Sequence, residues 1–199
     1  MLRLARLATA LALSGLAAGV SACSRQAAGA ASAHASADGP GGPFTLVNQD
    51  GAPVDQSVLN GKWSVVFFGY TFCPDVCPTT LTTLGQTMTL LGPRAKDVQV
   101  VFVTVDPARD SPAALKTYLS SRVFPKNIMG LTGTPAQIAQ IAKGYKVYYQ
   151  KDGTGSNYSM DHSTALYLMG PDGQFRTVIA DGLTPQQDAQ QLADAMRGT

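Results

Sequence analysis

Glutamate is missing from this chain altogether: all 13 acidic residues are aspartates. Cysteine and histidine are nearly missing too, with 3 and 2 copies in 199 residues. Each scarcity excludes something. Without glutamate, the usual general base of a hydrolytic zinc site has no candidate. So few cysteines cannot make a disulfide-stapled scaffold, and a chain of this length does not need one. No block of basic residues occurs, which argues against nucleic acid as a partner. The uncharged run Leu7 to Ala22 falls short of the roughly 20 apolar residues of a membrane-spanning helix. No internal repeat is evident.

What is present at the N-terminus reads as an export signal. Arg3 and Arg6 precede the apolar run, and the small residues Val20-Ser21-Ala22 stand before Cys23, the layout of a secretory signal peptide. The order Val-Ser-Ala-Cys also resembles a bacterial lipobox, so residues 1–22 are expected to be a lipoprotein signal peptide and Cys23 the lipidated first residue. An ordinary cleavage site with an incidental cysteine, or an uncleaved anchor, are the alternatives. Residues 23–42 are rich in Ala, Ser and Gly and read as a flexible tether, with His34 a solvated linker histidine. Residues 43–199 are one domain's length. Once Arg3 and Arg6 are gone, 13 basic groups face 13 acidic ones, and the net charge is about zero.

Two segments of that domain, Trp63 to Tyr70 and Val98 to Val105, are apolar on both faces and suit central strands of a parallel sheet. Between them Leu81, Leu84, Met88 and Leu91 recur at helical spacing up to Gly92-Pro93, which makes a βαβ unit. Ser111-Pro112, Thr134-Pro135 and Thr184-Pro185 each place a capping hydroxyl before a proline suited to the first helical position. Thr164 to Met169 and Phe175 to Ala180 flank Pro171-Asp172-Gly173, which predicts a β-hairpin. Phe44 to Val47 is a short strand at the front. The order is that of an α/β, thioredoxin-like fold: a central mixed sheet flanked by helices, ending in a β-hairpin and a helix. A doubly wound flavodoxin-like sheet competes, but the antiparallel hairpin argues against it.

Cys73 and Cys77, in Cys73-Pro74-Asp75-Val76-Cys77-Pro78, fall beyond the carboxyl end of the first central strand, where open α/β sheets bind ligands. A helix starting near Pro74 puts both sulfurs on one face, roughly 6 Å apart at Cα, which suits either a disulfide or a shared metal. The helix dipole is expected to lower the thiol pKa. Ser163 aligns with the cis-proline position of a thioredoxin strand, so His162 just before it faces the cysteines across the site. Two thiolates and an imidazole suit Cu(I), with Cu(II) possible if another ligand joins; zinc is the alternative on ligand type, and a histidine merely capping a strand is the bland one. Asp161 is a candidate to orient His162, and Met160 reads as packing. Asp106, Arg109 and Asp110 read as turn and capping residues at the rim. Trp63, Tyr70 and Phe72 read as the core and dry wall behind Cys73.

The segments Phe68-Gly69-Tyr70-Thr71-Phe72-Cys73-Pro74-Asp75-Val76-Cys77-Pro78, Val105-Asp106-Pro107-Ala108-Arg109-Asp110-Ser111-Pro112 and Asp161-His162-Ser163-Thr164, with Tyr167-Leu168 before Pro171-Asp172-Gly173, closely resemble the Sco/SenC family. These are thioredoxin-like copper proteins of cytochrome oxidase assembly. The resemblance covers about Phe44 to the C-terminus. It implies copper held by Cys73, Cys77 and His162. It further implies delivery to the binuclear CuA site of cytochrome c oxidase subunit II, or reduction of that subunit's cysteines by a Cys73/Cys77 redox pair. A periplasmic copper chaperone or a thiol reductant are further partners on this reading. Many family members have a single spanning anchor, whereas Cys23 points to a lipid on the periplasmic side of the cytoplasmic membrane. The two roles, metal carrier and thiol-disulfide reductase, are both open; the CxxxC spacing and the missing cis-proline argue against generic reductase activity. A peroxidase of peroxiredoxin type lacks its Thr-xx-Cys surroundings, since Thr71 lies two before Cys73.

Overall fold

The computed structural model describes residues 39–198. The expected signal segment, Cys23 and His34 lie outside the described residues. So does residues 23–42 as a tether, save its last four positions. No helix among the described residues is long and apolar enough to cross a membrane.

The two apolar segments form adjacent parallel strands, β3 (Trp63–Gly69) and β4 (Val98–Thr104), paired from Trp63 with Val98 to Gly69 with Thr104. Every residue of β3 is buried, and only Gln99 of β4 is not. This is why neither strand shows polar alternation. Around them the seven-stranded sheet runs β2 (Pro53–Asp55), β1 (Thr45–Asn48), β5 (Ile128–Thr132), β4, β3, β8 (Leu166–Met169), β9 (Phe175–Ile179). β8 pairs antiparallel with β3 and with β9, which rules out the all-parallel doubly wound alternative. The turn joining β8 to β9 needs φ of +73° at Gly173, whose N–H closes onto Gly170 O at 2.9 Å; glycine adopts this conformation without steric cost.

Helix α1 (Val76–Leu91) connects β3 to β4 and buries Leu81, Leu84 and Leu91. α2 (Pro112–Leu119), α3 (Pro135–Gly144) and α4 (Pro185–Arg197) start at the three predicted hydroxyl–proline pairs. In each, the Ser111, Thr134 or Thr184 side chain accepts a backbone N–H of the first turn. α3 and α4 add full capping boxes, with Gln137 and Gln187 filling the role glutamate often takes. Aromatic rings fill the centre: Phe67 meets Phe102 edge-on at 5.8 Å, and Phe68 meets Tyr145 tilted at 5.3 Å and Tyr167 edge-on at 6.1 Å.

The stretch between α3 and β8 differs from expectation. It carries a separate antiparallel pair, β6 (Tyr149–Asp152) and β7 (Ser159–His162), outside the main sheet. Their side chains are mostly exposed, so no apolar alternation advertised them. β2 was unannounced for the same reason.

Candidate metal centre

β3 ends at Gly69, and the chain turns through Tyr70 to Asp75 before α1 begins at Val76, two residues later than expected. Cys73 therefore precedes the helix, and Cys77 is its second residue. The sulfurs still converge, by another route. Cys73 N–H is tied to Tyr70 O at 3.2 Å, and Cys73 Sγ accepts the Cys77 N–H at 3.4 Å. Asp75, at the N-cap position, makes no capping bond. The sulfur thus satisfies a first-turn amide that a capping oxygen would normally take. Both cysteines are free thiols; Cys77 is fully buried and Cys73 partly exposed.

His162 is the last residue of β7, not the residue before a main-sheet strand, because β8 starts only at Leu166. Pairing with Tyr149 and the bond from Ser163 N to Tyr148 O, 2.9 Å, bring the hairpin's end over the cysteines. His162 Nε2 lies 3.7 Å from Cys77 Sγ, and Nδ1 lies 2.9 Å from Ser163 O. A carbonyl only accepts, so Nδ1 carries the proton and Nε2 turns its lone pair to the sulfurs. The Cys73, Cys77 and His162 ligand atoms lie within 4.8 Å of one another, a soft, open, three-donor set that fits a single Cu(I).

Asp161 does not orient the ring: it is exposed on the opposite side of β7, and the Ser163 carbonyl does the work instead. Met160 packs against the core, as expected. Tyr70 is buried and meets the imidazole edge-on at 5.8 Å and 88°. Phe72 is 61 % exposed, so it is no part of the dry wall.

The expected thiol acidification is reversed at Cys77. Burial pushes this thiol up, outweighing a hydrogen bond with the Tyr70 backbone that acts the other way. The first helical turn supplies a favourable dipole, but removing the sulfur from water costs more. Gly69 explains how closely the sulfur is held: a Cβ there would come within 2.8 Å of both Cys77 Sγ and Phe102 Cε2.

Sequence reasoning missed the depth of the polar network beneath this site. Asp110 is fully buried; its carboxylate accepts from Thr71 N and Thr71 Oγ1 at 3.0 and 2.6 Å and from Thr104 Oγ1 at 2.6 Å. Burial raises its pKa against those bonds. It ties the cysteine turn to the end of β4. Asp106, 3 % exposed, accepts from Arg109 Nε and, at 2.7 Å, from Tyr158 Oη. The clustering of Asp106, Arg109 and Asp110 after β4 was the available signal; Tyr158 gave none.

Comparison with known proteins places these features in company. The SCO1/SenC family profile matches residues 32–197. The mitochondrial SCO1 homolog 1 of Arabidopsis thaliana is 40 % identical over 137 residues, 68 % of this chain but only 40 % of that protein's length. ScoI of Bradyrhizobium japonicum, solved with copper bound, superposes with a TM-score of 0.72 at 43 % identity, covering 80 % of this chain and 99 % of that one. BsSco superposes with a TM-score of 0.65 at 27 % identity, covering 80 % and 93 %; it is a member of the Sco family of cytochrome c oxidase assembly proteins in which a disulfide switch was identified.

Proposed function

The chain belongs to the SCO1/SenC family, and from that premise we propose that it is a copper carrier serving cytochrome c oxidase assembly. Cys73, Cys77 and His162 hold one copper ion and pass it to the binuclear CuA site of oxidase subunit II. The observation that carries the reading is the convergence of these three donor atoms within 4.8 Å; copper-bound ScoI supports the choice of metal. The geometry suits a carrier. Cys77 anchors the ion from the buried side, while partly exposed Cys73 and His162 leave an approach for an incoming partner ligand. Transfer is then ligand exchange, with no change in oxidation state. Residues 1–22 act as a lipoprotein signal, Cys23 carries the lipid, and residues 23–42 tether domain 43–199 on the periplasmic side of the membrane.

The test mixes the reduced, Cu(I)-loaded full chain with the copper-free soluble domain of subunit II. Copper should move to the acceptor, and a Cys73→Ser chain should load and deliver poorly. Full loading without transfer would leave a copper-binding protein that is not a CuA donor.

A second reading has its own support in the two free thiols, linked through the contact of Cys73 Sγ with the Cys77 amide, and in the disulfide switch of BsSco. Here Cys73, the more exposed, attacks a disulfide of subunit II as thiolate and releases one partner thiol. Cys77 then displaces the second. The partner disulfide gains two electrons, and Cys73–Cys77 is oxidised to a disulfide. A Cys77→Ser chain would trap the mixed disulfide if this is the role; copper-dependent association without an adduct favours the carrier.

A further inference from the structure

The two cysteines and the histidine reach the site on separate pieces of chain. Cys73 and Cys77 come on the turn after β3, and His162 on the β6–β7 hairpin, which shares no strand pairing with the main sheet among the described residues. Tyr70 of the turn already reaches the hairpin, at the Met160 backbone and the His162 ring, and a side chain from a third piece touches both. Arg109, 15 % exposed, is gripped by Asp106 through Nε, and its Nη1 donates to Tyr158 O at 3.0 Å. Its guanidinium carbon lies 3.6 Å from the centroid of the Tyr158 ring, on the segment leading into β7. On the other side it lies 4.7 Å from the ring of Phe72 and 5.7 Å from that of Tyr70, the residues just before Cys73. Nη2 is buried without a hydrogen-bond partner. Tyr158 closes the circuit by donating from its hydroxyl to Asp106 at 2.7 Å, and Tyr70 passes contact on to the His162 ring at 5.8 Å.

We propose that Arg109 is a positioning residue: a clamp that joins the cysteine turn to the histidine hairpin and holds His162 against the two sulfurs. An isolated two-stranded hairpin is marginal in water, and with only Tyr149 and Met160 packed on the core this one gains from a further attachment. Arg109 supplies it through a charge-assisted pair, a backbone bond and cation–π contacts, all partly shielded from water. The planar fork matters, since a lysine cannot satisfy Asp106 and the Tyr158 carbonyl while stacking. The exposed Phe72, unexplained as a core residue, becomes one jaw of the clamp. The proposal concerns how the ligand set is preorganised, and its copper arm rests on His162 being a ligand.

The test uses the full chain with Arg109→Gln. In the copper-free protein, hydrogen exchange of the 149–162 amides should quicken by roughly tenfold or more, while β3 and β4 amides stay protected. In the Cu(I)-loaded protein, release to a chelator should quicken by about tenfold, the scale on which supporting residues act on metal sites. X-ray absorption should keep two sulfurs per copper and lose the imidazole scattering. In a His162→Ala background, Arg109→Gln should add nothing to the release rate, because the ligand it positions is already gone. Tyr158→Phe, which removes only the hydroxyl bond to Asp106, carries the same measurements if Arg109→Gln does not fold. Unchanged protection of the hairpin overturns the clamp. So does an equal effect of Arg109→Gln with and without His162. Exchange in the metal-free chain reads the clamp alone, so failure of wild-type copper binding would count against the carrier reading and not against it.

Discussion

Copper uptake should go on tightening with pH beyond the point where an ordinary thiol would level off. Cys77 must give up its proton to become a thiolate ligand, and burial holds that thiol above its ordinary value. A raised thiol pKa means the proton stays on to higher pH than on an ordinary thiol, and up to that point each rise in pH lowers the cost of removing it. One proton displaced gives tenfold in affinity per pH unit, about 1.4 kcal/mol. The rise attributable to Cys77 should therefore continue at this slope past about pH 8.5, where an ordinary thiol levels off. The assay is competition against a weak Cu(I) chelator whose own proton dependence is known, on the reduced chain carrying Cys73→Ser, which loads more weakly but counts only the Cys77 proton. A thiol lowered by the helix dipole would give a plateau above about pH 7, and an ordinary thiol a bend near about pH 8.5. Either shape would refute the claim that burial wins at Cys77.

Asp188 offers an independent pH test. It is 2 % exposed on α4, its Oδ1 has no partner, and burial, helped by Asp181, pushes its carboxyl up to about 6. A folded value above the unfolded one means the proton stabilises the fold: the contribution is complete below about pH 4 and is lost as pH rises through 6. Asp188→Asn should therefore stabilise the domain at neutral pH by about 1–3 kcal/mol, with the advantage fading toward pH 4 in urea unfolding. An advantage of equal size at both ends contradicts this reading. At the metal centre, Gly69→Ala should cost about 1–3 kcal/mol of stability, because its Cβ would crowd Cys77 Sγ and Phe102. It should also weaken copper retention; an unchanged release rate would show that the sulfur has room to move.

The parts of this fold legible in sequence were those with a local or periodic signature. β3 and β4 announced themselves by unbroken apolar runs. The three later helices did so by hydroxyl–proline starts, and the β8–β9 turn by Pro171-Asp172-Gly173. The grouping of Cys73, Cys77 and His162 was likewise readable, because so few residues of those types exist to choose from. The hairpin carrying His162 was not, since its strands are polar, short and held by contacts from elsewhere. Phe72 failed for a related reason: an aromatic beside an apolar strand reads as core, whereas the side chain is exposed and faces Arg109. The Cys77 pKa was misjudged because a dipole is visible in sequence while burial is not. The Arg109–Tyr158 and Asp106–Tyr158 bonds span 49 and 52 positions, beyond the reach of any local rule.

The central claim is that three side chains from two chain segments hold one copper ion together. X-ray absorption on the reduced full chain loaded with one equivalent of Cu(I) tests it most directly. Two sulfurs and one imidazole nitrogen per copper are expected, with the nitrogen lost and both sulfurs kept in His162→Ala. A copper site that keeps its imidazole in that variant, or that never shows one in the wild type, would contradict it.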